Sequence, residues 1–85
     1  MTQITSADSP IPADRELDAR GLNCPLPILR TKKMLNDMSS GQMLKILATD
    51  PGSVRDFEAF ARQSGNILLR SMESSGEFHF FLRKK

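Results

Sequence analysis

The sequence has a single cysteine, Cys24, and this scarcity limits both its means of stabilisation and its chemistry. One thiol cannot form an intramolecular disulfide, so no covalent cross-link of its own supplements the limited core of an 85-residue chain. An unpaired cysteine fits a reducing compartment. Such a residue is either a small buried apolar group or a reactive one.

Long apolar runs are also missing. No stretch of about 18 apolar residues is present, so the sequence predicts no membrane span and no membrane partner. The N-terminal segment MTQITSADSPIPAD lacks a basic stretch followed by an apolar one, which predicts no secretory signal. We therefore expect a cytoplasmic protein.

Charge of one sign is not in excess, because 12 Lys and Arg face 10 Asp and Glu, for a net charge of +2. A dedicated nucleic-acid domain usually carries a stronger basic imbalance on one face, so direct nucleic-acid binding is not expected. One Cys and one His cannot supply the four ligands of a zinc centre. The sequence therefore predicts no metal site, and the alternating pattern of its strand predicts His79 as a partly exposed residue.

The chain divides into an arm and one domain. Residues 1–13 are polar, contain two prolines and show no periodicity, which predicts a flexible N-terminal arm. Residues 14–85 form the predicted domain. It begins with a short strand, RELDAR, in which Leu17 and Ala19 alternate with polar residues, and Gly21 ends this strand.

Helical spacing follows from Pro25 to about Met38, and Gly41 is the predicted stop. The apolar stripe of this first helix lies within one arc and comprises Ile28, Thr31, Met34, Leu35 and Met38. Three basic side chains lie outside that arc, and we expect them to steer an acidic partner surface: Arg30, Lys32 and Lys33.

The rest of the chain predicts a strand, a second helix and a hairpin. The strand is QMLKILAT, the helix DPGSVRDFEAFARQSG, and the hairpin joins NILLRSME to EFHFFLRK through SSG. The core face of the second helix comprises Val54, Phe57, Phe60 and Ala61. The order β-α-β-α-β-β predicts an α/β (α+β) two-layer sandwich, with a four-stranded mixed sheet and both helices on one face. The opposite face is predicted to carry Met43, Lys45, Leu47 and Phe81.

The start of the first helix, Cys-Pro-Leu-Pro, suggests why the chain keeps one thiol. Proline is favoured at the first helical position, so Pro25 there makes Cys24 the N-cap. Pro27 has no N–H to give, which leaves mainly the N–H groups of Leu26 and Ile28 for the sulfur. A thiolate accepts such hydrogen bonds well, and a helix N-terminus favours negative charge. We therefore predict a lowered pKa and a reactive Cys24.

The second helix begins in a similar way, with Asp50 before Pro51 as Cys24 stands before Pro25. This parallel predicts that Asp50 caps the second helix and that Cys24 occupies an equivalent anion position. A capping box between Ser53 and Asp56, starting the helix later, is the alternative.

Two segments, LDARGLNCPLPILRTKKML and ATDPGSVRDFEAFARQSGN, resemble the signature blocks of the TusA/SirA group of small sulfur carriers, over roughly residues 15–84. The resemblance implies a two-layer α/β fold and transfer of sulfane sulfur through a persulfide on Cys24. It implies a cysteine desulfurase or rhodanese-like donor and an acceptor sulfur-relay protein, and such an exchange requires no cofactor in this chain. It further implies service to tRNA thiolation, molybdenum-cofactor chemistry or sulfur metabolism.

The resemblance also implies partner contacts at Asp50 and Lys32, and two positions depart from the family pattern. Leu26 stands where some members have an acidic residue, which removes a charge beside the thiol. Ala61 stands where some relatives have a second cysteine, so an internal resolving disulfide is excluded. Since the protein would itself carry the transferred group, whether it counts as an enzyme is a matter of definition.

Two other functions stay open at the level of sequence. One is a binding module without sulfur chemistry, either regulatory or RNA-contacting through the open sheet face, although Phe81 alone is thin support. The other is a redox sensor whose thiol forms a sulfenic acid. A binding module keeps its affinity after Cys24→Ala, whereas a carrier loses all transfer. We expect a monomer with transient partners.

Overall fold

A computed structural model describes residues 13–85, and within them the elements follow the predicted order β-α-β-α-β-β. The strands are β1 (Arg15–Ala19), β2 (Met43–Ala48), β3 (Ile67–Ser74) and β4 (Glu77–Arg83), and the helices are α1 (Leu26–Asn36) and α2 (Ser53–Ser64). The predicted arm, residues 1–13, lies outside the described residues except for Ala13 and stays a prediction. Neither α1 nor α2 is long and apolar enough to cross a membrane.

The strands form the predicted four-stranded mixed sheet, in the order β1-β2-β4-β3. The strands β1 and β2 pair in parallel, and β4 pairs antiparallel with both β2 and β3. α1 connects the parallel pair, whereas α2 crosses from β2 past β4 to β3. Because β1 and β2 run in the same direction, both helices begin at the same edge of the sheet. This arrangement positions the candidate site.

Both helices pack on one face of the sheet, as predicted, and share a single apolar core with it. The core residues are Leu17, Ala19, Leu35, Met38, Leu44, Ile46, Ala48, Phe57, Phe60, Phe80 and Leu82. At its centre the rings of Phe57 and Phe80 stack, with centroids 4.5 Å apart and planes 20° from parallel. Apolar residues recur about every 2 positions in the strands and about every 3.6 positions in the helices, and both sets of residues face this one core.

The opposite face of the sheet carries the predicted side chains but is less open than expected. Lys45 pairs with Phe81 and Leu47 with His79 across β2 and β4. Phe81 is only 2% exposed, and the Lys45 ammonium lies 5.8 Å from the centre of its ring. The stems of long cationic side chains can cover apolar surface while the charge stays in water. His79 is partly exposed there, as predicted.

Two connections use left-handed backbone where the sequence predicted breaks. Gly65 ends α2 with φ of 84°, and its N–H donates to the carbonyl of Ala61. The β3–β4 hairpin turns at Ser75 and Gly76, which both have positive φ, at 51° and 80°. Two positive φ values in a two-residue loop match the twist of the flanking strands. Both predictions are confirmed.

The end of α1 differs from its prediction. The helix ends at Asn36 rather than near Met38, and Gly41 belongs to a later turn with φ of 89°. The N–H of Met38 donates to the carbonyl of Leu35, three residues back, over 3.0 Å. The ammonium of Lys84 donates to the same carbonyl over 2.7 Å. A residue from the distant C-terminal segment therefore helps to satisfy a carbonyl in the last turn of this helix, while Met38 still packs in the core.

Candidate functional site

Cys24 lies at the sheet edge where both helices begin, in the turn between β1 and α1. The turn starts where the N–H of Leu22 donates to the carbonyl of Ala19 over 3.2 Å. The N–H of Gly21 donates to the Thr49 hydroxyl over 2.9 Å, which ties the turn to the end of β2. The thiol is exposed, so the reading of Cys24 as a buried apolar residue does not fit the structure.

Cys24 is not the N-cap of α1, contrary to the prediction. Pro25 occupies that position after a cis peptide bond, and no side chain caps the helix. The N–H of Leu26, expected to serve the sulfur, donates instead to the carbonyl of Asn23 over 2.9 Å. The thiol therefore stands one residue before the helix, and the helix start does not hold it by the predicted bonds.

The three residues that follow Cys24 have different environments. Pro25 is exposed at the cap, and Leu26 is an exposed apolar side chain, 44% accessible. Pro27 is buried, and its carbonyl accepts a hydrogen bond from the Thr31 hydroxyl over 2.8 Å. The second proline thus anchors the first turn of α1 to the core, while Leu26 stays on the surface beside the thiol.

Asp50 holds the motif loop rather than capping α2. One of its oxygens, Oδ2, accepts the N–H of Cys24 over 3.0 Å, and Oδ1 accepts the N–H of Gly52 over 3.3 Å. α2 begins at Ser53 with Gly52 at the N-cap, and no side chain caps it. The predicted capping box is absent too, because the buried Ser53 hydroxyl has no hydrogen-bond partner among the described residues. Asp50 and Cys24 are therefore in contact and do not play equivalent roles.

Asp56 is the residue of this site that the sequence reasoning missed. It lies in the first turn of α2, and its carboxylate is one of the two acidic groups whose charge acts on the Cys24 thiol. A β-carbon placed on Gly52 would lie 3.9 Å from Asp50 Oδ1 and 3.9 Å from Asp56 Oδ2, so the two carboxylates converge there. The predicted order of elements could have indicated this proximity. α1 follows β1 and α2 follows β2, and these two strands are adjacent and parallel, so the two helices start side by side.

The electrostatic setting of the thiol reverses the predicted direction of its pKa. The Asp56 carboxylate, as hydrogen-bond acceptor for the thiol, raises the pKa of Cys24 above its ordinary value. Slight desolvation and the negative charges of Asp56 and Asp50 act in the same direction. Within residues 13–85, no Lys or Arg forms an ion pair with either carboxylate. The prediction of a thiolate stabilised by the helix start is therefore wrong for the isolated chain.

The three basic residues of α1 do not form one surface. Arg30 and Lys33 line a shallow groove with Leu29, which is 50% exposed. Lys32 projects to the other side of the helix, into a groove that it shares with Lys84 at the C-terminus. Of these two grooves, the one with Arg30 and Lys33 joins an exposed apolar side chain, Leu29, to positive charge.

The raised pKa predicts slow alkylation of Cys24 at neutral pH. We expect iodoacetamide to label the folded chain more slowly at pH 7 than the same chain unfolded in urea. The labelling rate should rise with pH through a midpoint above that of the unfolded thiol. Since the folded state holds this proton more tightly, the thiol contributes stability below the unfolded pKa and loses it as pH rises through the folded pKa. A folded midpoint below the unfolded one would contradict this assignment.

Comparisons with known proteins agree with this architecture. The family model described as "Sulfurtransferase TusA" matches residues 15–84. The chain is 68% identical to the sulfur carrier protein TusA of Allochromatium vinosum, over 84% of this chain and 93% of that protein. It is 52% identical to a putative sulfur carrier protein of Neisseria meningitidis serogroup A, over 81% of this chain and 93% of that protein.

A solved structure supports the fold independently. The crystal structure of a SirA-like protein from Desulfitobacterium hafniense matches with a TM-score of 0.72, covering 81% of this chain and 95% of that one. At 22% identity, this likeness concerns the fold alone. Given the family match over almost the whole domain and the high identity to a curated carrier, the chain belongs to the TusA sulfurtransferase family and is a sulfur carrier.

Proposed function

We propose that the carried sulfur is bound as a persulfide on Cys24, received from a donor protein and passed to an acceptor protein. The observation that carries this proposal is the exposed position of the only thiol, at the edge where both helices start. A protein partner can reach it without opening the fold. The donor is a cysteine desulfurase or a rhodanese-like protein, and the acceptor is a further protein of a sulfur relay.

The transfer itself is a thiol exchange. The Cys24 thiol first loses its proton to water. The thiolate then attacks the terminal sulfur of the donor persulfide, forming one S–S bond while the donor's S–S bond breaks and its cysteine leaves as a thiolate, which takes up a proton from water. An acceptor thiol then repeats the exchange on the Cys24 persulfide. Nothing is oxidised overall, because the sulfane sulfur only changes its attachment. The sulfur then serves tRNA thiolation, molybdenum-cofactor chemistry or sulfur metabolism.

The surface around the thiol offers an apolar and charged docking area. Leu26 and Leu29 are exposed on α1, and Arg30 and Lys33 flank Leu29. Exposed apolar side chains rimmed by charge are typical of transient protein interfaces. We therefore place partner contact on this side of α1 and on the loop of Asp50. Lys32 would contact only a partner large enough to reach the other side of the helix.

Two observations weaken the alternative functions. RNA stacking on the sheet requires accessible aromatic rings, and Phe81 is buried under Lys45. Peroxide-sensing cysteines have low pKa values, whereas the carboxylate of Asp56 raises the pKa of Cys24. Persulfide exchange also requires the thiolate, but a small ionised fraction suffices when a bound partner holds the persulfide beside it.

Intact mass spectrometry tests the proposal. The reduced protein is incubated with a cysteine desulfurase and free cysteine. In a parallel sample it is incubated with a rhodanese-like donor that carries a persulfide. We expect the mass of one sulfur atom to be gained and then lost on treatment with a thiol reductant. Protein whose thiol was first blocked with iodoacetamide is the control and should gain nothing. Absence of any gain with both donors, alongside normal labelling of free Cys24, would reject the persulfide and favour a sensor.

A further inference from the structure

Two kinds of hydrogen bond hold the loop between β1 and α1, which carries Cys24. Inside the loop, the N–H groups of Leu22 and Leu26 each donate to a carbonyl three residues back. The N–H groups of Gly21 and Cys24 donate instead to side chains of the loop before α2. The internal bonds shape single turns, whereas the bonds to the second loop fix where the thiol lies relative to the rest of the protein.

Gly21 makes the first loop dependent on this outside support. Its φ is 82°, in the left-handed region that favours glycine. A β-carbon added here would meet no atom within 4 Å, so the backbone conformation and not a lack of space calls for glycine. Glycine also adopts negative φ about as readily and does not hold this conformation by itself. The bond from its N–H to the Thr49 hydroxyl, 2.9 Å long, restricts that freedom.

Thr49 has a rigid base from which to do this. It follows Ala48, the fully buried last residue of β2, and β2 lies inside the sheet between β1 and β4. The next residue, Asp50, accepts the N–H of Cys24 over 3.0 Å. Two consecutive side chains at the end of an inner strand therefore hold the thiol loop at both Gly21 and Cys24.

We propose that Thr49 is a positioning residue for sulfur transfer, whose hydroxyl holds the loop so that Cys24 is presented to the donor protein in one conformation. This inference rests on the proposed persulfide function. The hydroxyl acts through the backbone of Gly21 and not on the reacting sulfur atoms. Asp50 serves the same purpose, but its replacement would also remove a negative charge beside the loop. Thr49 therefore allows the support to be tested without a change of charge.

A positioning role has different consequences for large and small donors. A donor protein has to bind the surface around the loop and bring its persulfide to the thiol at the same time. It therefore binds productively only to the fraction of chains whose loop has the right conformation, and its apparent affinity falls with that fraction. A small persulfide can approach an exposed thiol in many loop conformations. Loss of the Thr49 bond should therefore slow transfer from a protein donor alone.

Thr49→Val tests this role, because it removes the hydroxyl and keeps a branched side chain. We expect the KM of a cysteine desulfurase for the variant, measured by rapid-quench mass spectrometry of the persulfide, to rise roughly tenfold with kcat little changed. Such a change is on the scale of one net hydrogen bond. Sulfur uptake from glutathione persulfide should keep the wild-type rate. Thr49→Ser retains the hydroxyl and should restore the KM.

Ser40→Ala is the matched control. The Ser40 hydroxyl also links two segments of the chain, since it donates to the carbonyl of Lys85 over 2.8 Å, but it lies beyond the far end of α1. We expect this variant to lose a similar amount of stability in urea denaturation and to keep the wild-type KM. If Thr49→Val fails to fold by circular dichroism, Thr49→Ala replaces it in the comparison with Thr49→Ser.

The outcomes separate this inference from the function on which it rests. A wild-type KM in a folded Val or Ala variant overturns the role of Thr49, although the chain still carries sulfur. An equal loss of uptake from glutathione persulfide overturns it too, because the hydroxyl would then act on the reactivity of the thiol and not on its presentation. If the wild type gains no sulfur from any donor, the persulfide function fails and this inference with it.

Discussion

Replacing Cys24 with serine is expected to abolish sulfur uptake completely while leaving the fold intact. Sulfur is the reacting atom, and a serine hydroxyl cannot form or exchange a persulfide. Because the side chain is exposed and only the backbone N–H of this residue bonds to Asp50, the substitution should change the free energy of unfolding by no more than about 0.5 kcal/mol. Sulfur uptake is measured by mass spectrometry after incubation with a donor that carries a persulfide. The free energy of unfolding is measured by urea denaturation.

A displaced thiol is the sharpest control for this result. Adding Ser39→Cys to Cys24→Ser restores one exposed thiol beyond the far end of α1, away from both carboxylates. We expect this double variant to be alkylated readily and to take up no sulfur from the donor. Uptake equal to that of the wild type would show that any surface thiol suffices, and the site described above would have no role in transfer.

Replacing Phe57 with alanine should have the largest effect on stability. Its ring is fully buried and stacks on Phe80, between α2 and the centre of the sheet. Deleting a buried phenylalanine ring typically costs about 3–5 kcal/mol. At about 0.05–0.15 kcal/mol per residue, a chain of 85 residues is stabilised by roughly 4–13 kcal/mol in total. In guanidinium denaturation, the variant should therefore unfold at a much lower guanidinium concentration than the wild type, or should already be unfolded in buffer.

Phe78→Ala tests whether the position, and not the residue type, sets this cost. Phe78 is only partly buried, at the rim of the same core near the start of β4. The free energy of unfolding should fall clearly less in Phe78→Ala than in Phe57→Ala, and its dependence on denaturant concentration should stay unchanged. Equal losses at the two positions would mean that the core is not centred on the Phe57–Phe80 pair.

The fold could be predicted from the sequence because its determinants are local. The alternation of Leu17 and Ala19 and the helical spacing of Phe57 and Phe60 define the buried faces, and glycines mark the turns. The end of α1 could not be predicted in the same way. Helix ends are defined only to within one or two residues, and the helical spacing continues past Asn36 to Met38. The hydrogen bond from the Lys84 ammonium to the carbonyl of Leu35 joins this end to a residue distant in sequence, which no local pattern indicates.

The surroundings of Cys24 could be predicted only in part, for a related reason. The prediction of a low pKa considered the helix that follows Cys24 and ignored the helix beside it. Asp56 is distant in sequence, and together with Asp50 it raises the pKa of the Cys24 thiol, which the sequence of the first helix alone could not indicate. The order β-α-β contained this information, because a parallel pair places both helix starts at one edge.

The division of the basic residues was also available from helical geometry. At about 100° per residue, Arg30 and Lys33 lie some 60° apart around the axis, whereas Lys32 lies roughly 160° from Arg30. The structure places the first two in one groove and Lys32 in another. The prediction grouped the three residues because they are close in sequence. It did not consider the direction in which each side chain leaves the helix.

The two hydrogen bonds between the loops bear on how such a carrier could be engineered. The Thr49 hydroxyl accepts the N–H of Gly21, and the Asp50 carboxylate accepts the N–H of Cys24. The loop before α2 therefore fixes the conformation of the loop that carries the thiol. A Cys-Pro-Leu-Pro segment grafted alone onto another scaffold would lack both anchors and the neighbouring carboxylate. The transferable unit is instead a pair of parallel strands with both following loops, and a designed sulfur carrier would have to copy that pair as a whole.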